Sequence, residues 1–389
     1  MKKEAYRLYL KHMLIWAGIL LLAAACNPRM ISPAPNTAPA KASATPRQIS
    51  AQSILLSGHT SGVTRLSWSP NGLLLASSCG GFDSTDFAVR VWRRAGGTPA
   101  YTLTGHTGVV TTIAWSPDGK TLASASLDGT TRLWSSDGRL LRVLEGKAGG
   151  VFALAWSPDG KILATGSIVN FLNPTVQLWD QGGKIVRTLG TSFSGGKFYN
   201  LAWSPDGKYL LGGATDYKLW RADGELVFWR ESHASSTPSW GMAWSPNSQR
   251  WAIGDESGNI EIYTNSGEEI TSLLHDETSV DSLAWSPDST ILAGPKTLWH
   301  ADGTRLRRLN QQPTYVNSLA WSADGNLLAS GGSDDLIHLW TPDGAHAGAL
   351  EGHTGAVNAV AWSPDGTVLA SASEDGTIRL WMFNMSGPQ

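Results

Sequence analysis

The side chains that could do chemistry are spread along a repeat and are not gathered in one motif. His follows Gly at His59, His106 and His353, and Asp-Gly pairs recur around the chain. Nucleophilic, acid–base and metal chemistry all need several such groups to converge on one point. The sequence has no phosphate-binding Gly-Lys-Ser/Thr loop, no paired-His metal motif and no nucleophile elbow. We therefore expect no catalytic residue, no metal and no cofactor, and we expect that the protein is not an enzyme.

The two cysteines have different expected roles. Cys26 follows a run of Ala at the end of the N-terminal apolar stretch, and Cys79 lies in the region of the repeats. Cys79 occupies the position that Ser126 has in the next repeat, so we interpret it as a small buried thiol in a strand. A single Cys after Cys26 leaves no pair for an intrachain disulfide.

Copies of one sequence repeat make up nearly all of the remaining chain. Its core is Trp-Ser-Pro followed by Asp or Asn, with one variant, Trp-Ser-Ala-Asp, at Trp321. The eight core tryptophans are Trp68, Trp115, Trp156, Trp203, Trp244, Trp285, Trp321 and Trp362. A period of about 40–45 residues indicates a β-propeller of four-stranded blades. Within residues 110–145, turn signals at Ser-Pro-Asp-Gly and Asp-Gly separate the expected strands.

The repeat, with Gly-His before the core and a Trp that ends the third strand, resembles the WD40 family over residues 53–381. The resemblance implies an all-β, eight-bladed WD40-type propeller, and seven blades with an irregular insert is the alternative, because the sixth repeat is short. It also implies that a buried hydrogen-bonded set of His, Ser, Asp and Trp holds a blade together. By position, three repeats have the full set: His59, Ser77, Asp86, Trp92; His106, Ser124, Asp128, Trp134; and His353, Ser371, Asp375, Trp381. We expect these residues to be structural.

The last repeat runs out of chain before a fourth strand. Residues 53–57, Ser-Ile-Leu-Leu-Ser, form an unclaimed apolar stretch in front of the first repeat. We predict that this N-terminal strand completes the last blade, because a closed ring leaves no open sheet end to aggregate.

The first 50 residues have the features of a targeting segment and a linker. Four basic residues precede an uncharged apolar stretch at 13–25, which is too short to span a bilayer as a helix. Ala-Ala-Ala-Cys resembles a bacterial lipobox, which implies a signal peptide at 1–25 and lipidation of Cys26. An uncleaved anchor and an ordinary cleaved signal are the alternatives. Residues 26–50 are rich in Pro, Ala and Ser and predict a disordered tether, followed by the propeller at 51–385.

The resemblance also suggests where a partner would bind. In the WD40 family the position four residues before each core Trp lies at the channel-facing rim of the partner-binding face. Here repeats three to five have aromatic residues at this position, and repeats six to eight have polar ones: Phe152, Tyr199, Trp240, Asp281, Asn317 and Asn358. We expect this arc to contact a partner, although the aromatic side chains could instead fill the blade interfaces.

Composition limits the partner class. Lys and Arg number 30 against 32 Asp and Glu, so the chain lacks the basic excess of a nucleic-acid-binding protein. We predict a monomeric, non-catalytic scaffold that binds a protein or peptide. The expected location is the bacterial cell envelope, in the periplasm or at the cell surface, with a lipid anchor at Cys26 in the membrane. A propeller that binds a small ligand or carbohydrate through the aromatic residues is the alternative.

Overall fold

The computed structural model describes residues 51–80, 85–146, 149–169, 173–189, 200–213, 216–231, 239–274 and 279–383. These residues form eight antiparallel sheets of four strands each. The eight-bladed prediction is confirmed, and the seven-bladed alternative is wrong because the short sixth repeat also builds four strands. No helix in the described part of the chain has the length and apolarity needed to cross a bilayer.

Each blade runs from an inner first strand to an outer fourth strand. The strands of blades 1 to 4 are β2 Val63–Trp68, β3 Leu74–Cys79, β4 Val89–Arg93 and β5 Pro99–Leu103; β6 Val110–Trp115, β7 Thr121–Ser126, β8 Thr130–Ser135 and β9 Leu140–Glu145; β10 Val151–Trp156, β11 Ile162–Val169, β12 Asn173–Asp180 and β13 Ile185–Leu189; β14 Asn200–Trp203, β15 Tyr209–Gly213, β16 Asp216–Arg221 and β17 Leu226–Glu231.

The second half of the chain repeats this order. The strands of blades 5 to 8 are β18 Ser239–Trp244, β19 Arg250–Asp255, β20 Asn259–Thr264 and β21 Glu269–Leu274; β22 Ala284–Trp285, β23 Ile291–Ala293, β24 Thr297–His300 and β25 Arg305–Arg308; β26 Val316–Trp321, β27 Leu328–Gly332, β28 Ile337–Trp340 and β29 His346–Leu350; β30 Val357–Trp362, β31 Val368–Ser373 and β32 Ile378–Phe383.

The N-terminal strand closes the ring, as the sequence predicts. Strand β1, Ala51–Leu56, pairs antiparallel with β32, so that Ser53 lies opposite Trp381. The last blade therefore has the order β1-β32-β31-β30. The expected range of 53–57 differs from the observed strand by two residues at its start and one at its end.

The core tryptophans hold neighbouring blades together. In seven of the eight blades the indole N–H of the core Trp donates to the carbonyl oxygen one residue before the core Trp of the preceding blade, as Trp68 does to Ala361 at 3.0 Å across the closure. The same bond recurs at Trp115, Trp156, Trp244, Trp285, Trp321 and Trp362. Buried indole N–H groups usually have a hydrogen-bond acceptor, because an unpaired one costs free energy. The recurring Trp thus serves the interface between blades as well as the blade itself.

The turns after the core Trp interlock on one face of the ring. Gly119 of blade 2 has positive φ and packs on Pro70 of blade 1, and the same contact joins several later blades. In blade 5 a serine, Ser248, takes the glycine position with φ of 59°. Its hydroxyl accepts a 2.9 Å hydrogen bond from the backbone N–H of Asp206 in blade 4. This bond between blades offsets the strain of a left-handed residue that is not glycine.

Candidate functional site: the rim of the central channel

In three blades the structure joins His, Ser, Asp and Trp in one chain of hydrogen bonds. In blade 2 the indole of Trp134 donates to Ser124 Oγ at 2.9 Å, and Ser124 Oγ lies 2.8 Å from His106 Nε2. His106 Nδ1 lies 2.8 Å from Asp128. Since Ser124 accepts from the indole, its own hydrogen goes to Nε2, and Nδ1 carries the imidazole proton towards Asp128. Blade 8 has the same geometry at His353, Ser371, Asp375 and Trp381. Blade 1 joins His59, Ser77, Asp86 and Trp92 in the same order, but His59 Nδ1 lies farther from its carboxylate, at 3.3 Å from Asp86.

The Ser–His–Asp order is that of a nucleophile, a base and an orienting acid, but these groups are inaccessible. Ser77, Ser124 and Ser371 have no exposed surface, so no substrate carbonyl can reach their hydroxyls. Burial pushes the pKa of Asp128 upward, yet hydrogen bonds from His106, Thr130 and Thr107 hold it far below its usual range. Each set is therefore a fully bonded buried network that fixes the loop at one end of the blade onto the strands.

Blade 1 adds a thiol to its set. Cys79 Sγ lies 2.9 Å from His59 Nδ1 and 3.7 Å from Asp86, and it donates to the carbonyl of Ser61 at 3.2 Å. Ser126 makes the equivalent bond to Gly108 in blade 2, so the thiol replaces a serine hydroxyl.

Cys79, His59 and Asp86 are donors that zinc prefers, and their ligand atoms lie within 4.8 Å of one another. However, Arg90 Nη1 lies 2.7 Å from Asp86 and 2.8 Å from His59 Nδ1, and so already places a positive charge there. Burial, and then the Asp86 carboxylate, raise the pKa of the thiol to about 12, which opposes the thiolate that a metal needs. We interpret the cluster as structural. The sequence placed His59 and Asp86 in one set, but it did not predict that the thiol of Cys79 contacts both.

The position four residues before each core Trp is a β-bulge in most blades. The ladder between the first and second strands shifts register there, at Thr64, Thr111, Phe152, Trp240, Asn317 and Asn358. Asn317 donates to the carbonyl of Val357 and Asn358 to that of Val63, each at 3.1 Å in the next blade. Thr111 donates to Val151 at 2.8 Å in the same way. These polar side chains therefore tie neighbouring first strands together at the rim, and each already donates one hydrogen bond to a backbone carbonyl.

The rest of the expected arc is less regular. Phe152 is half-buried, with Gly150 beside its ring. Tyr199 lies outside the described residues, and of Trp240 only the backbone in β18 is described. Asp281 is half-buried, accepts a 2.5 Å hydrogen bond from Ser279, and has its pKa raised by burial. The sugar-binding hypothesis, which needs all three aromatic side chains, stays a prediction.

Arg65 is a rim residue that the sequence reasoning missed. Solvent reaches its side chain, yet the protein surrounds it densely enough that burial lowers the pKa of the guanidinium. Both observations fit a position inside the central channel, because β2 lies in the ring of first strands between β6 and β30. The guanidinium bonds to backbone carbonyls alone: Nε to Thr111 at 2.9 Å and Nη1 to Thr64 at 3.1 Å. No carboxylate among the described residues forms an ion pair with it.

A column of small residues could have revealed Arg65 from the sequence. It stands three residues before the core Trp, where the other blades have Thr112, Ala153, Asn200, Gly241, Ser282, Ser318 and Ala359. Among these eight aligned positions, therefore, only the one in blade 1 bears a charge. Arg65 stands one residue after the position at which the family resemblance places partner contacts.

One interface between blades departs from the pattern. The indole N–H of Trp203, in blade 4, has no hydrogen-bond partner among the described residues, unlike the other core tryptophans. A cleft of about 420 Å³ adjoins it between blades 3 and 4, lined in part by Asp159, Ile162 and Asp206. This interface therefore lacks the hydrogen bond of the other core tryptophans, and the indole nitrogen itself remains covered.

Comparisons with known families agree with this architecture. Residues 135–382, well over half of the chain, match the family profile described as IFT122 first beta-propeller. Residues 51–93 and 97–135 match the profile described as WD domain, G-beta repeat. No curated protein matches the chain. The two profiles together cover the ring from its closing strand to the last strand of blade 8.

Proposed function

Because the chain belongs to the IFT122 first beta-propeller family of WD-repeat domains, we propose that it is a non-catalytic scaffold that binds a protein or peptide at its channel rim. WD40 propellers are in general interaction platforms without catalytic activity, and the three buried Ser–His–Asp sets leave no accessible nucleophile of that kind. A scaffold of this class contacts its partner through loops and strand ends at one face.

Arg65 is the observation that carries the proposal. A guanidinium is a preferred anchor for carboxylates because its planar fork matches their two oxygens. The charge of Arg65 is satisfied by two backbone carbonyls and by no described carboxylate, and solvent reaches it in the channel. A partner that inserts an acidic side chain or a C-terminal carboxylate would complete this site. We expect the partner segment to be an acidic or carboxyl-terminal peptide.

Substitution of the anchor tests this function. We expect Arg65→Ala to lose partner capture from an envelope extract and to lose binding to a panel of C-terminal acid peptides. Amidated versions of the same peptides should bind neither protein. The matched control is Arg142→Ala. Arg142 is an exposed arginine on the outer strand β9, and it forms no ion pair with another described residue. Equal capture by the Arg65→Ala and wild-type proteins, both folded, would overturn the proposal.

We further propose that the scaffold stands on the bacterial cell envelope, held by a lipid on Cys26. The basic start, the short apolar stretch and the Ala-Ala-Ala-Cys sequence support this placement. Metabolic labelling with a radioactive fatty acid should mark the wild-type chain, whereas Cys26→Ala should lose both the label and membrane retention. Label that persists in the Cys26→Ala chain would contradict the assignment.

A further inference from the structure

Blade 7 brings two histidines into contact on neighbouring strands. His338 lies in β28 and His346 begins β29, which pairs with β28 so that His346 is opposite Trp340. Nδ1 of His338 lies 3.2 Å from Nε2 of His346, and the ring centroids are 5.4 Å apart. His338 is buried and His346 is half-exposed. The pair is distinct from the channel rim, because it joins the third strand of a blade to its outer fourth strand.

An acidic residue fixes the orientation of the inner ring. His338 Nε2 lies 2.8 Å from the carboxylate of Asp334, so Nε2 carries the proton and donates it to that oxygen. Nδ1 of His338 therefore presents a lone pair towards His346. This order of carboxylate, histidine and free nitrogen is the outer-shell arrangement that metal-binding histidines in proteins use.

Blade 7 has this arrangement in place of the buried His, Ser, Asp and Trp set of blades 1, 2 and 8. Asp334 occupies the position of Asp375 in blade 8, where the carboxylate holds His353. In blade 7 the histidine position has Gln312, whose amide oxygen accepts from Ser330 at 2.9 Å. The amide nitrogen of Gln312 has no hydrogen-bond partner among the described residues. The carboxylate is thus released from its usual partner and holds His338 instead.

The separation of the two nitrogens suits a shared ligand. Zinc lies about 2.0–2.1 Å from histidine nitrogens in tetrahedral sites, which puts two such nitrogens roughly 3.3 Å apart. The observed 3.2 Å matches this value. A water-exposed side remains for the other ligands, because His346 is half-exposed.

We propose that Asp334, His338 and His346 form a binding site for an imidazole-preferring divalent metal, Cu²⁺ or Zn²⁺, with the two histidines as protein ligands and water in the other positions. In the metal-free protein His346 Nε2–H donates to His338 Nδ1. When the metal binds, the proton of neutral His346 moves to its own Nδ1, and both facing nitrogens give their lone pairs to the ion. Imidazole suits both metals, and copper binds such sites more tightly than zinc.

Calorimetric titration of the full-length chain with CuCl₂ and with ZnCl₂ tests the site. We expect one ion per chain for wild type, no ion in this site for His346→Ala, and affinity reduced 10- to 100-fold in Asp334→Asn. His300→Ala, which removes an exposed histidine from blade 6, is the control for surface histidines and should bind as wild type does. Cys79→Ser is the control for the blade 1 cluster and should also bind unchanged.

The variants also distinguish a metal site from an ordinary hydrogen bond between two rings. X-ray absorption of the copper-loaded wild-type chain should show two imidazole nitrogens among mainly oxygen ligands. A metal-induced rise in melting temperature should occur in wild type and disappear in His346→Ala, whose circular dichroism should match wild type. The proposal is refuted if wild type binds neither ion, or if His346→Ala retains the same stoichiometry and affinity.

Discussion

Replacement of His106 tests whether the buried Ser–His–Asp sets are structural. The side chain is inaccessible to solvent, so His106→Ala removes two 2.8 Å hydrogen bonds from the interior of blade 2. A neutral bond contributes about 1 kcal/mol and one to an ionised carboxylate about 2 kcal/mol, so the loss is about 3 kcal/mol of unfolding free energy. Asp128 keeps its bonds to Thr107 and Thr130, and these bonds limit the cost of a buried carboxylate that has lost its histidine partner.

The chain itself supplies a conservative variant. In blade 7, Gln312 bonds to Ser330 as the histidine would, without a bond to the aspartate position. His106→Gln should therefore keep the bond to Ser124, lose the bond to Asp128, and cost less than His106→Ala, about 2 kcal/mol. Urea unfolding followed by tryptophan fluorescence measures these differences, with His300→Ala as a surface control close to zero.

Two results would refute the structural interpretation. The first is a His106→Ala protein within about 1 kcal/mol of wild type, which would mean that the set contributes little to the fold. The second is a His106→Gln protein as unstable as His106→Ala, which would mean that the bond to Ser124 has no value. Lost binding of a ligand at unchanged stability would point instead to a functional role.

Four further predictions concern the positive φ of Ser248, the reactivity of Cys79, the pH dependence of stability and the closing strand β1. Ser248→Ala should be less stable than Ser248→Gly by about 1 kcal/mol, because both lose the bond to Asp206 but only glycine relieves the positive φ; equal urea midpoints would contradict this. Cys79 should resist iodoacetamide at pH 8 in the folded protein and react in urea, since its pKa is about 12, and fast labelling of the native chain would refute this. The free energy of unfolding should fall as the pH drops. Burial lowers the pKa of His353 in the folded protein, so the stability that neutral His353 contributes is lost as the pH falls below about 6.5, the pKa of histidine in the unfolded chain. Hydrogen bonds lower the pKa of Asp375 to about 2 despite burial, so its contribution is present above about pH 4 and is lost towards pH 2, and Asp375→Asn should flatten the urea-midpoint profile over that range. Leu56→Asp should lower the melting temperature by disrupting the buried contact of β1 in blade 8, whereas Gln52→Asp on the same strand is exposed and should not.

The fold was accessible from the sequence because its signals are local and repeated. In blade 2 the predicted turns at Ser-Pro-Asp-Gly and Asp-Gly lie where the structure has them, between β6 and β7 and between β7 and β8. Turn residues mark the strand ends, since Gly119 and Gly129 adopt positive φ where the sequence places the turns. The hydrogen bonds between blades could not be predicted from the sequence, because they join residues of different repeats and no motif within one repeat indicates them.

The candidate site could be predicted only in part from the sequence, for a related reason. The amides of Asn317 and Asn358 looked available for a partner, but a β-bulge turns them towards the carbonyls of the next blade. Arg65 was visible as a charged residue among small ones, yet its importance depends on its place in the channel. The pair of His338 and His346 depends on the bulge between Leu339 and Trp340, which sets how β29 aligns with β28. Register at a bulge is fixed by three-dimensional packing, and no local motif reports it.

The pairing of β1 with β32 has a consequence for the order of folding. Ala51 lies opposite Phe383, so the ring is closed by contacts between the two ends of the domain. β1 is the first strand of the domain to be made, and it must wait for the last strand before it has a partner. Contacts so distant in sequence form slowly, since a long loop must close before they are made. Until then, blade 8 has three strands at most and its outer edge is open, so newly made chains should be most prone to mispairing with one another in this interval.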